Sequence, residues 1–127
     1  MSTMSKRNIV HVEIPAADVE AAGKFYQQLL GWKLQHDPEL NYTQWEAADG
    51  TGGGFPAVSD DTPAGRVLVY IHSDDIEADL TNVEKLGGKV IHPKMEIPQI
   101  GWFGLFQDPT GNVLGLYTSM NPEFNKE

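Results

Sequence analysis

His11 and Glu13 sit two residues apart in a stretch, residues 8–15, that alternates apolar and polar side chains. Such alternation marks a half-buried strand, so both side chains leave one face. An imidazole beside a carboxylate can do general acid/base chemistry, the carboxylate holding one ring tautomer while protons move near neutral pH. Tyr70 and His72 share the matching face of a second alternating stretch, residues 66–73. His11, Glu13 and His72 are therefore the catalytic candidates. The competing reading is a buried polar network that ties strands together. Trp45, Tyr70, Trp102, Phe103 and Tyr117 are candidates for the wall of a pocket holding a flat organic molecule, as aromatics often are. The same residues could equally fill a core.

The elements that must position these groups come in two copies. Shifted by 57 positions, Val10, Val12 and Ile14 fall on Val67, Val69 and Ile71, and Gly31 falls on Gly88. The alternate positions differ: His11, Glu13 and Pro15 fall on Leu68, Tyr70 and His72. One strand face is thus kept apolar in both copies and the other is free to vary. After the first strand, Asp18 is placed to cap a helix whose apolar stripe is Val19, Ala22, Phe25, Tyr26, Leu29 and Leu30, with Gly31 as its stop. Strands are expected at 32–36 and 42–47. The glycine-rich residues 49–55 lack the order of a phosphate-binding loop and read as a strand edge with close backbone approach.

The second copy opens with the strand at 66–73. Asp74 or Asp75 then caps a helix bearing Ile76, Leu80, Val83 and Leu86, closed by Gly87 and Gly88. Strands follow at 90–97, 102–107 and 113–118. Asp108-Pro109-Thr110-Gly111-Asn112 is a turn between the last two. His36 and His92 flank proline-containing turns and read as surface residues. The polar tail from residue 121 reads as frayed.

Each copy therefore reads βαβββ, and the fold class is α+β. The expected architecture is a single domain over residues 1–127, with modules at about 8–58 and 66–118 joined by a linker at 59–65. The pair forms a cupped mixed sheet with the helices on its outer face.

A net charge of −9 argues against nucleic acid and anionic membrane surfaces as partners, because both need clustered Lys and Arg. With no cysteine there is no thiol nucleophile, disulfide or thiolate metal site. No apolar run approaches the ~20 residues that span a bilayer. The first eight residues lack a signal-peptide pattern, so the cytoplasm is the expected location.

Three segments together resemble the vicinal oxygen chelate superfamily of glyoxalases, bleomycin-resistance proteins and dioxygenases. They are His11-Val-Glu-Ile-Pro-Ala-Ala-Asp18, then Phe25-Tyr26 with Leu30-Gly31-Trp32, then Asp108-Pro-Thr-Gly-Asn-Val-Leu-Gly115. Lys94-Met-Glu-Ile-Pro98 before Gly101-Trp102-Phe103-Gly104 is similar to a subgroup of predicted enzymes related to lactoylglutathione lyase. The resemblance implies two modules around a groove, a small organic ligand and a homodimer. In metal-dependent members the ligands come from the first and last strands of each module. Carried over, those places fall on His11, on Leu68, on Gly115 and near residues 52–55. His11 alone can bind a metal, so no metal site and no cofactor are expected. Glu13 lies two residues, ~6.6 Å, along its strand from the inherited place, and His72 lies four residues along its own, ~13 Å. The expected function is a metal-independent lyase or isomerase that works by proton transfer. The alternatives are a protein that sequesters a small molecule or antibiotic and, more weakly, a metal-dependent glyoxalase.

Overall fold

The alternation around His11 becomes β1, Ile9–Glu13, in a computed structural model that describes residues 7–48 and 50–121. The expectations placed on residues 1–6, on residue 49 and on the tail beyond residue 121 lie outside the described residues. Helix α1, Val19–Leu30, starts where Asp18 accepts a hydrogen bond from the Ala21 amide at 3.0 Å. It ends at Gly31, whose φ of 74° lets its amide reach the Gln27 carbonyl at 2.9 Å. Strands β2, Lys33–Asp37, β3, Tyr42–Glu46, and β4, Gly52–Gly54, complete the first copy. The second copy runs β5, Leu68–His72; α2, Ile76–Lys85; β6, Lys89–Ile97; β7, Gly101–Gln107; and β8, Val113–Ser119. Asp75 caps α2 by accepting from the Ala78 amide at 3.0 Å. The architecture is α+β, and each copy is βαβββ as read from the sequence.

The chain divides into two compact units. The first is Val10–Leu68; the second comprises residues 7–9 with the chain from Val69 onward. Within the first, the strand order is β2-β3-β4-β1, antiparallel except that β1 and β4 run parallel. Within the second it is β5-β8-β7-β6, with β5 and β8 parallel. Parallel neighbours need a long crossover, and the helix and intervening strands supply it in both units. In the second unit the Arg7 guanidinium grips Asp79 at 2.5 and 3.2 Å, and the His72 amide bonds to the Asn8 carbonyl at 2.9 Å. The bond to Asp79 holds the Arg7 proton more tightly than usual.

Each helix covers its own unit's apolar face. In the first unit Val12 and Ile14 pack with Val19, Ala22, Tyr26, Trp32 and Leu34 around Ala16, Trp45 and Phe55. In the second, Ile71, Val90, Trp102 and Phe106 pack around Ile76, Leu80 and Leu116.

Four expectations are corrected. The predicted α1 stripe is split: Val19, Ala22 and Tyr26 face the core, whereas Phe25, Leu29 and Leu30 are exposed, because the stripe is wider than the sheet it meets. Val67, matched to Val10 in the repeat, precedes β5 and is exposed. The glycine strand β4 is no edge; it is hydrogen-bonded between β3 and β1. Trp45, expected in a ligand wall, is only 5% exposed and stacks on Trp32 with ring centroids 3.8 Å apart, so it is core.

Candidate functional site

His11 and Glu13 project from β1 on the face opposite Val12 and Ile14. A third group joins them from two strands away. Tyr42, the first residue of β3, donates its hydroxyl proton to Glu13 Oε2 at 2.6 Å. His11 Nε2 lies 3.1 Å from the same hydroxyl oxygen and 3.3 Å from Glu13 Oε2. A phenol has one proton, and here it points at the carboxylate, so Nε2 meets both oxygens as an N–H donor. Two donors converge on one carboxylate oxygen, and charge-assisted hydrogen bonds of this kind are the stronger ones. The side chains of His11 and Glu13 keep 27% and 16% of their surface open, so the pair is shielded yet reachable.

Tyr42 was missed as a site residue because a tyrosine at a strand's start carries no local signal. The informative clue was non-local: Gly54 stands opposite both Glu13 on β1 and Gln44 on β3, leaving the path between those strands bare.

His72, the third catalytic candidate, belongs to the second unit. It is 1% exposed, and its Nε2 lies 3.7 Å from Asp74 Oδ1. Tyr70 is buried on β5 with its ring over Gly115 of β8. Tyr117 faces Phe103 across the β7–β8 pair, and its hydroxyl donates to the Ile100 carbonyl at 3.4 Å. Burial pushes the Tyr117 phenol above its ordinary value. Phe103 stacks on His92 with centroids 5.1 Å apart. Trp102 leaves the opposite side of β7, packing into the core beneath α2 with the Lys94 ammonium 5.4 Å from its ring centroid. Adjacent strand residues point to opposite faces, so Trp102 and Phe103 cannot line one wall. His36 is exposed and bonded to Thr43 Oγ1 at 3.0 Å.

The metal that the resemblance would bring does not fit these side chains. Leu68 is buried and apolar. A side chain on Gly115 would run into the Tyr70 ring, and one on Gly54 into Tyr42. Among the described residues no three His, Asp or Glu side chains gather as a metal-binding group. A divalent site of the iron or zinc type needs about three such ligands.

Comparison with known proteins agrees with the fold. The model of the Glyoxalase/Bleomycin resistance protein/Dioxygenase superfamily matches residues 8–116. A glyoxylase-like domain-containing protein of Didymella fabae is 33% identical over 115 residues, covering 84% of this chain and 90% of the relative. A putative glyoxylase of Mycobacterium tuberculosis, CFP32, is 28% identical over 113 residues, covering 84% of this chain but 43% of its own length. The chain thus spans less than half of that relative. Methylmalonyl-CoA epimerase from Mycobacterium tuberculosis superposes with a TM-score of 0.71 at 15% identity, covering 95% of this chain and 93% of the other, a likeness of fold. No helix among the described residues is long and apolar enough to cross a membrane.

Proposed function

Because the chain belongs to the Glyoxalase/Bleomycin resistance protein/Dioxygenase superfamily, we propose that it binds a small organic molecule and moves a proton on it without a metal, as an isomerase or lyase. The observation that carries this reading is the hydroxyl of Tyr42 bonded at once to Glu13 and His11. In this scheme the Glu13 carboxylate takes a proton from a carbon beside a carbonyl. The C–H bond breaks, an O–H bond forms on Glu13, and the electron pair moves onto the carbonyl oxygen. Once Glu13 holds that proton it accepts less strongly, so the Tyr42 hydroxyl and the His11 N–H turn from it to donate to the developing negative charge, as an oxyanion hole does. Return of the proton to the other side of the carbon, or to its neighbour, gives an isomer; departure of a neighbouring group gives a lyase. Names of similar proteins lend support: a glyoxylase-like relative and an epimerase of the same fold.

The test is exchange of carbon-bound hydrogen in D2O, followed by NMR over a panel of small 2-oxo acids, 2-hydroxy ketones and acyl thioesters, with chelator-treated protein. Exchange that Glu13→Gln abolishes is expected. Exchange with none of the panel, or exchange indifferent to Glu13→Gln, would sink the proposal.

One observation favours a second reading, sequestration of a flat ligand: the aromatic row of His92, Phe103 and Tyr117 in the second unit. Under it, Phe103→Ala weakens binding of a planar dye such as ethidium at least tenfold, and no member of the panel turns over.

A further inference from the structure

We propose that Gly54 is a positioning residue, its missing side chain being the seat that holds the Tyr42 ring where its hydroxyl meets Glu13 and His11. The proposal rests on the proton-transfer reading of that site. Tyr42 stands on β3 and Glu13 on β1, with β4 between them. Neighbouring strands lie about 4.8 Å apart, so the two residues stand roughly 10 Å apart across the sheet and their side chains must meet over the middle strand. The residue of β4 on that path is Gly54, directly opposite Glu13. A Cβ built on Gly54 would fall on the hydroxyl oxygen and Cζ of Tyr42, far inside van der Waals contact. No positive φ is recorded at Gly54, so the demand for glycine comes from the ring and not from the backbone. Any other residue would lift the ring off the sheet and separate its hydroxyl from Glu13.

The second unit repeats the device independently. Gly115 of β8 is directly opposite Tyr70 of β5, and a Cβ there would strike Cδ2 and Cε2 of the Tyr70 ring. In both units a glycine on the last strand, parallel to the first, accepts a tyrosine ring across it. Only in the first does the ring carry its hydroxyl to a carboxylate.

The experiment uses the full chain with Gly54→Ala, Tyr42→Ala, Tyr42→Phe and the Gly54→Ala/Tyr42→Ala pair, read by melting temperature and by the 15N shifts of the His11 ring at fixed pH. Gly54→Ala is expected to lower the melting temperature by roughly 5–10 °C, as overpacking does. It should also move the His11 shifts in the same direction as Tyr42→Phe. Removing the ring makes room for the methyl group, so the double variant should recover at least half of the lost temperature. If Gly54→Ala does not fold alone, a folded double variant supports the seat and an unfolded one overturns it. Losses that simply add, or His11 shifts left at their original values by Gly54→Ala, also overturn it. Neither result bears on whether Glu13→Gln abolishes exchange, so the seat and the proton transfer can fail separately.

Discussion

Opposite Gly54, on the first strand of the first unit, stands Glu13; opposite Gly115, at the matching place of the second unit, stands Tyr70. Both glycines lie under tyrosine rings, and both units run βαβββ with a parallel closing pair. In the first, the ring arrives from β3 and brings a hydroxyl to a carboxylate and an imidazole that remain partly open. In the second, the ring comes from the first strand itself, no carboxylate faces it across the pair, and the nearby histidine is buried against Asp74. The same scaffold thus gathers a tyrosine, a carboxylate and an imidazole in one unit and makes a packed face in the other. What separates them is which strand supplies the tyrosine, since that decides whether the first strand keeps a place for Glu13.

The largest expected effect would break or confirm this contrast directly. Glu13→Gln should slow hydrogen exchange by about 10²–10⁴-fold, the range for removing a positioned acid or base. A greater loss from His72→Gln than from Glu13→Gln, with both variants folded, would reverse the comparison. Next come the two cores. Phe55, 2% exposed, and Ile76, 1% exposed, anchor the first and second units. Phe55→Ala should cost about 3–5 kcal/mol and Ile76→Ala about 2–5 kcal/mol, measured by urea unfolding. A single shared transition would show that the units fold together; two transitions would show that each core stabilises its own unit. The helix caps are smaller and should be nearly equal: Asp18→Ala and Asp75→Ala each remove one carboxylate–amide bond, at about 1 kcal/mol.

The smallest effect belongs to the second unit. Asp108 accepts from the amides of Asn112 and Thr110 and from both their side chains, which holds its carboxyl down at about 2, below its ordinary 3.8. A lowered folded value means that this stabilisation is complete above the ordinary value and is lost as pH falls from about 4 through about 2. The urea midpoint should therefore drop over that window and drop less in Asp108→Ala. An identical acid response in the variant would remove Asp108 as a cause.

Much of this was legible in the chain. Alternation at His11 and Glu13, caps at Asp18 and Asp75, the left-handed stop at Gly31 and the turn at Asp108 are local features, and local hydrogen bonds made them come true. Tyr42 was not legible, because its meaning depends on two neighbouring strands and on a glycine twelve residues later in the sequence. Trp45 and Trp102 misled for a related reason. An aromatic side chain suits a core and a pocket equally, and only the strand face decides between them. For Trp102 the parity of β7 already held the answer, since Phe103 beside it must point the other way.

The sequence by itself determined the repeat, the order of elements, the apolar face of each first strand and the loss of metal-ligand types at Leu68 and Gly115. These follow from residue type and period, which need no partner. The tertiary structure alone decided that Tyr42 would lie across Gly54 and close on Glu13 and His11. That outcome rests on register: strands about 4.8 Å apart put a phenol within reach of a carboxylate only when the residue between them has no side chain.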